Sequence, residues 1–378
     1  MAYDFPNSPS LGQVANGYVW DGEKWMRAGP LPGPVVATKK NYIINGAMQV
    51  SQENGATVLT STGFWPVDQF VIHYTTASGF SYAQVASPTP AGSPNRIRVT
   101  TVAGPGSVAA GDYLLIQQRV EGLRVADLRS GSAAAKTVTL QFGCKGPAGT
   151  YSVSLQNAAQ LRSYTSAFTI SAGEANTDIL RSVTIALDQT GTWAADNTLG
   201  LYVAWALYAG TTFKTPADLW TAGSFYSVTG TSSTMNVNGS IFELFDVSLT
   251  EGSVAPPFQV PDYASELALC QRYYQQSFEP GGIAAAGFIE FDWAASAAGT
   301  LGGGSIILSP TMRSAPAVNV YDVAGNPNLI TVINAGGALT NGQTFNQLTA
   351  TPKNLRLRLY SIAGAVGLAF QYRVSARL

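Results

Sequence analysis

The chain has little charge. Of its 378 residues only 11% are Asp, Glu, Lys or Arg, against about a quarter in ordinary soluble proteins, so its polar faces must be built from Ser, Thr, Asn, Gln and Gly. The 21 basic and 22 acidic residues nearly cancel. No Lys/Arg run occurs, which removes the field that nucleic acid binding needs, and no nucleic acid partner is expected. Histidine is scarcer still. His73 is the only one, no G-x-S-x-G elbow accompanies it, and it reads as a strand or loop residue rather than a catalytic base. Cys144 and Cys270 lie far apart with no CxxC spacing and no neighbouring histidine. They support neither a disulfide framework nor a zinc site, and read as two buried thiols. Long apolar runs are also missing. The longest uncharged one, Leu199 to Gly210, has about half of the ~20 residues a spanning helix needs, and its residues suit a strand, so no membrane insertion is expected. The start, MAYDFPNSPS, lacks a basic and an apolar region. The expectation is a chain without a secretory leader, kept in a cytoplasm until lysis. No repeat of about 20 to 50 residues, no heptads and no Gly-X-Y run occur, which argues against a solenoid, a coiled-coil shaft or a collagen-like stalk.

What is present is period-2 alternation. Val138, Leu140, Phe142 and Cys144 alternate with Thr139, Gln141 and Gly143, and Tyr151, Val153 and Leu155 with Ser152, Ser154 and Gln156. These read as half-buried strands. The pattern returns where Leu355, Leu357 and Leu359 interleave with Arg356 and Arg358, and where Phe370, Tyr372 and Val374 interleave with Gln371 and Arg373. One stretch reads as helix: Tyr263, Leu267, Cys270 and Tyr274 follow a helical spacing after the start signal Pro261-Asp262. Its apolar face is expected to pack on a sheet. Many short strands divided by Gly, Pro, Asn and Ser turns, with almost no helical crossovers, indicate a mostly β chain of antiparallel sandwiches.

Punctuation is densest at Gly29-Pro30-Leu31-Pro32-Gly33-Pro34, which should be an extended linker over residues 29–40. A second break falls around Pro256, Pro257 and Pro261, and Glu279-Pro280-Gly281-Gly282 opens the last segment.

Chemistry is thinly represented. Glu290 and Asp292 share one face of the run Phe288 to Trp293, with Cα atoms about 6 to 7 Å apart. That spacing could suit a glycosidase pair, but Ile289, Phe291 and Trp293 on the other face make two solvated carboxylates the better reading. Gly302-Gly303-Gly304-Ser305 lacks the Lys-Ser/Thr ending of a phosphate loop and reads as a turn, so no nucleotide cofactor is implied. Aromatic residues make up 11% of the chain, and a ring beside neutral hydrogen-bonding groups is how proteins commonly grip sugars. Trp193, Trp220 and Tyr226 are candidate glycan platforms, whereas Trp205, in the apolar run Leu201 to Trp205, reads as core. No catalytic residue and no enzyme activity is expected.

The run Phe5-Pro6-Asn7-Ser8-Pro9, then Gly12, Tyr18-Val19-Trp20-Asp21-Gly22 and Trp25 resembles a short module at the start of phage tail and fibre proteins. Turn residues Asn16-Gly17 and Asp21-Gly22 flank Tyr18 and Trp20, and Trp25 can complete an aromatic cluster, in an element too small to be stable alone. Asn41 to Gly46, Phe64 to Phe70, Leu115 to Gly122, Val138 to Gly146 and Phe242 to Gly252 resemble, in order, the carbohydrate-binding-like jelly roll of phage tail fibre and receptor-binding proteins. Glu266 to Tyr274 looks like the linking helix that follows it. The last hundred residues, with Pro310 to Pro316 and Tyr372 to Arg377, resemble the accompanying β-sandwich tip. Such jelly rolls can hold a structural Ca2+, for which Asn45 and Asp246 would be the oxygen donors here. No dense acidic cluster accompanies them, and neither a metal nor a cofactor is assigned.

The resemblance implies an N-terminal virion-anchoring module in residues 1–28, a jelly-roll β-sandwich in 41–258, a linking helix in 259–278 and a C-terminal β-sandwich in 279–378. Phe5, Pro6, Tyr18, Trp20 and Trp25 would carry anchoring to other phage structural proteins. The β domains would bind a host surface polysaccharide or receptor, in a homotrimer located in the virion as a tail fibre. A head fibre, neck or baseplate component would use the same parts without a receptor. A polysaccharide depolymerase would need convergent carboxylates as well.

Overall fold

The computed structural model describes residues 5–10, 13–16, 18–20, 22–27, 40–75, 79–232, 234–282, 288–292, 301–360 and 364–378. The Pro-rich stretch expected as a linker, apart from Lys40, lies outside the described residues, as do Gly12, Gly17, Asp21 and Trp293. Two compact units divide the chain, Met1–Lys39 and Lys40–Leu378.

In the small unit the strands Val14–Ala15, Tyr18–Trp20 and Trp25–Arg27 form an antiparallel sheet. Trp20 pairs directly with Trp25, their ring centroids 5.7 Å apart. Phe5 stacks on Trp25 at 4.8 Å and meets Tyr18 edge-on at 5.4 Å. Phe5, Tyr18, Trp20 and Trp25 therefore form one aromatic cluster, and Pro6 beside them is exposed. Offset and edge-on contacts of this kind let so short a sheet hold together without a larger core.

The large unit begins with two antiparallel sheets face to face. One has seven strands in the order Trp220–Ala222, Arg162–Ile170, Gly149–Asn157, Leu199–Ala209, Tyr113–Glu121, Phe70–Tyr74 and Phe64–Val67. The other has five, Ile179–Ala186, Thr137–Lys145, Ile241–Glu251, Asn95–Ala103 and Gly79–Ala86. The alternation read in the sequence sets the inward side: Val138, Leu140, Phe142 and Cys144 face Tyr151, Val153, Leu155 and Trp205 in one apolar core. Each such large side chain contributes about 1.5–3 kcal/mol on burial. The run Leu199 to Gly210 supplies the strand through the middle of the seven-stranded sheet.

These strands are not half-buried, as expected, but buried on both faces. Thr139, Gln141, Ser152, Ser154 and Gln156 are enclosed too, because loops lie over the outer faces. Thr139 Oγ1 donates to the Gly252 carbonyl, Gln156 Nε2 to the Phe225 carbonyl, and the Val228 amide to Ser152 Oγ. Thr139, Ser152 and Gln156 can be covered in this way because each finds a backbone partner in the segment that covers it. One pair of short strands, Lys214–Thr215 with Ser227–Val228, is parallel.

The helix Tyr263–Gln271 starts where expected, with Asp262 Oδ2 accepting from the Ser265 amide at 3.0 Å. It packs differently from the expectation. Cys270 and Leu267 join Ile44, Val50 and Tyr273, so the helix sits on the irregular segment that opens the sandwich rather than on a sheet. Tyr263 is exposed, and Tyr274 belongs to the next strand, Tyr274–Gln276. Buried Glu266 makes the difference: its Oε1 accepts from the Asn45 amide at 2.7 Å, which turns that face of the helix toward Asn45.

Beyond the helix, the last strand, Ala365–Ser375, is the axis of a second sandwich. It pairs antiparallel with Tyr274–Gln276, Ile289–Asp292, Ala317–Tyr321 and Ile330–Asn334. A three-stranded sheet of Leu301–Ile307, Asn354–Tyr360 and Gln347–Ala350 covers it, with Leu355, Leu357 and Leu359 turned inward. Gly302 to Ser305, expected as a turn, lies inside the strand Leu301–Ile307, paired with Leu359 to Arg356. Close approach explains the glycines: a Cβ on Gly303 would lie 2.2 Å from the Leu357 carbonyl oxygen, and one on Gly304 2.3 Å from the Phe291 ring.

Candidate functional site

On the outer face of the seven-stranded sheet lies a groove of about 190 Å³. It exists because four alternate residues of one central strand, Tyr113, Leu115, Gln117 and Arg119, point away from the core. Neighbouring strands place His73 beside Leu115 and Tyr202 beside Arg119, and set small Ala204 and Ala206 next to Gln117 and Leu115. Gln160 and Tyr226 complete the lining.

Arg119 organises the polar end. Its Nε lies 3.4 Å from Gln117 Oε1, its Nη2 3.1 Å from His73 Nε2, and its guanidinium 5.8 Å from the Tyr202 ring, while Nη1 donates to the Leu378 carbonyl. Burial, reinforced by the Arg119 charge, lowers the His73 pKa to about 4. The imidazole is therefore neutral at neutral pH, and Nε2 accepts from Arg119 with the ring proton on Nδ1. At the other end Tyr113, Phe213 and Tyr226 form an aromatic corner with centroid separations of 5.1 to 5.4 Å. Along the flank, Ser154 Oγ and Gln156 Oε1 are buried with no hydrogen-bond partner among the described residues. They sit on the strand paired with Ala204 and Tyr202. Chemically the groove offers tyrosine rings, carboxamides, one guanidinium and a neutral imidazole, a set that suits hydroxyl-rich, uncharged surfaces.

Of the residues singled out as glycan platforms, Tyr226 lies in this groove, largely buried. Trp193 and Trp220 lie elsewhere, meeting edge-on at 5.4 Å and 89°. Both pack against the sandwich core, and their indole N–H groups donate to the Thr190 and Ala186 carbonyls at 2.9 and 2.8 Å. Trp205 is fully buried. Tyr113, Gln117, Arg119, Tyr202 and His73 were not picked from the sequence, although alternation in Tyr113 to Glu121 marks the first three as one face.

Glu290 and Asp292 are both exposed on the strand Ile289–Asp292, opposite the apolar side of Ile289 and Phe291. Cys144 and Cys270 are buried free thiols. Asn45 and Asp246, the residues at the Ca2+ position of the resembling jelly rolls, bond to protein groups here. Asp246 Oδ1 accepts from Thr89 Oγ1 and Ser93 Oγ, and the Asn45 carboxamide bonds Val50 and Asp68 backbone groups. Among the described residues no group of three or more His, Cys, Asp or Glu could hold a metal ion, and no helix is long and apolar enough to cross a membrane.

No family model and no curated protein matches this chain. Among solved structures it is similar to the enzymatically active domain of bacteriophage CBA120 tailspike protein 4, at 10% identity over 56% of this chain, TM-score 0.29. It spans only 21% of that tailspike chain. It is likewise similar to the family 11 carbohydrate-binding module of Clostridium thermocellum Lic26A-Cel5E, at 10% identity over 53% of this chain and 97% of the module, TM-score 0.29. The CBM22-1 xylan-binding domain of Paenibacillus barcinonensis Xyn10C aligns at 7% identity over 58% of this chain and 98% of that domain, TM-score 0.28. Likenesses of this size transfer no function.

Proposed function

We propose that this chain is a structural protein of a phage particle, a tail fibre that binds a host surface glycan through its β domains without cleaving it. The groove lined by Tyr113, Gln117, Arg119, Tyr202 and Tyr226 carries the binding part: it sets rings beside a carboxamide and one guanidinium on a rigid sheet. The phage part rests on the motif order in the sequence. Titrating the protein with polysaccharides from bacterial surfaces tests the first. Tyr202→Ala is expected to weaken binding about tenfold, the equivalent of about 1.4 kcal/mol. Binding that ignores Tyr202→Ala would move the site elsewhere, and release of shortened polysaccharide chains would make the protein an enzyme. Attachment is assigned to residues 1–28 through the cluster of Phe5, Tyr18, Trp20 and Trp25. Protein lacking this segment should stay folded and fail to join particles. The proposed assembly is a homotrimer, which light scattering showing a stable monomer would refute.

A further inference from the structure

The outer face of the five-stranded sheet carries a larger groove, of about 410 Å³, within the usual range of about 300–1,000 Å³ for small-ligand sites. A bulge in the strand Ile241–Glu251 creates its floor. Pairing with Thr137–Lys145 shifts register between Phe245 and Ser248, and Asp246 takes a φ of 49°, so the consecutive residues Phe245 and Asp246 both line the groove. Gly143 makes room, since a Cβ there would lie 2.2 Å from the Phe245 ring. Ile179 and Leu180 from the edge strand, and Pro257 and Phe258 from the segment after the sandwich, build apolar walls.

Two polar groups in this groove have spare capacity. Gln141 is 6% exposed, and its carboxamide makes no hydrogen bond among the described residues. Asp246 directs Oδ1 to Thr89 and Ser93, leaving Oδ2 without a partner among the described residues. Asp178, also at the rim, is different: both its oxygens are held by Arg96, at 2.5 and 2.7 Å. A purely apolar occupant would strand the Gln141 and Asp246 groups without partners. An anion would meet the Asp246 carboxylate, and an amine would satisfy Asp246 alone. A neutral sugar ring fits both demands. Vicinal hydroxyls donate to Asp246 Oδ2 and exchange hydrogen bonds with the carboxamide, while the C–H face lies on the apolar walls.

We infer that this groove is a second glycan-binding site, for a neutral hexopyranose unit, on the sheet opposite the Tyr202 groove. It rests on the reading of the chain as a glycan binder, and the two sites are separable. Methyl-labelled protein titrated with oligomers of glucose, galactose, mannose and N-acetylglucosamine reports on both, because Ile179 and Leu180 line this groove and Leu115 the other. Ile179 and Leu180 methyl signals are expected to shift with at least one oligomer. In Gln141→Leu, and in Leu180→Trp, which fills the groove from a rim position 57% exposed, the Ile179 shift is lost and the Leu115 shift is kept. Shifts at Leu115 alone overturn the second site and leave the proposed function standing. Shifts at Ile179 and Leu180 alone overturn the assignment of the Tyr202 groove and support this one. No shift at any of the three across the panel overturns both.

Discussion

Glu121 and Arg272 meet in a two-pronged ion pair, Nη2 to Oε1 at 2.6 Å and Nε to Oε2 at 2.9 Å. Tyr273 adds its hydroxyl to the same carboxylate at 2.7 Å. Glu121 ends a central strand of the first sandwich, and Arg272 and Tyr273 follow the helix, so one buried carboxylate joins the two halves of the large unit. Around it, Arg313 and Asn197 exchange hydrogen bonds, each donating to the other's backbone carbonyl, and Glu53 pairs with Arg377 and Arg373. These contacts tie the second sandwich to the first, whereas pairs such as Arg96 with Asp178 and Arg162 with Asp188 lie within the first sandwich.

Removing Glu121 strands Arg272 and the Tyr273 hydroxyl together. Glu121→Ala is expected to cost about 3 kcal/mol, the low end for a broken buried pair because part of Arg272 stays in water. Urea unfolding followed by tryptophan fluorescence measures it. A loss well under about 1 kcal/mol would show that the carboxylate does not hold the halves together.

Gly303 lies mid-strand at φ 148° with the Leu357 carbonyl where a side chain would go. Gly303→Ala must push the strand Leu301–Ile307 off its partner Asn354–Tyr360, at a cost of about 1–3 kcal/mol. The midpoint of thermal unfolding should fall. A midpoint at or above that of the parent chain would contradict the close approach.

Where sequence reasoning succeeded and failed follows from the range of the forces involved. Alternation from Val138 to Cys144 marks a strand and its inward face, and the burial of Trp205 and the Asp262 cap are equally local; the loops that cover the strand's outer face are not. Gly302 to Ser305 read as a turn because its composition is that of a turn. What makes it a strand is pairing with residues some fifty positions later, which no local pattern carries. The far end of the helix failed likewise: Tyr274 keeps the helical spacing but is captured by Ser375 across a sheet. The groove was half legible. Tyr226 stood out as an aromatic, but Tyr202, Gln117 and His73 come together only through the order of three strands. Trp193 and Trp220 drew notice by type, yet their N–H groups tie them to backbone carbonyls at the sandwich edge.

Both thiols should be silent in the folded protein. Burial pushes the Cys144 thiol up to about 12 and raises that of Cys270 well above its ordinary value, so almost no thiolate forms at mildly alkaline pH. A thiol-reactive chromophore should label neither in native protein and both after denaturation. Labelling of Cys270 without unfolding would mean that the helix leaves its seat on Ile44 and Val50.

His73 predicts how stability follows pH. Its folded pKa, about 4, lies below the 6.5 of a free imidazole, so between those values the unfolded chain binds a proton that the folded chain does not. Stability tied to His73 is therefore complete above about pH 6.5 and is lost as pH falls toward 4. Partial exposure limits the loss to about 1–2 kcal/mol. Other groups titrate in this window, burial raising the pKa of Asp68 and Glu266 among them, so the comparison must be with a variant. His73→Gln keeps an acceptor for Arg119 and removes the titration. Unfolding free energies of the two proteins should run parallel above pH 7 and draw together by about 1–2 kcal/mol between pH 6.5 and 4.5. Parallel curves throughout would mean that His73 protonates freely in the folded groove, and that the Arg119 contact does not hold its ring neutral.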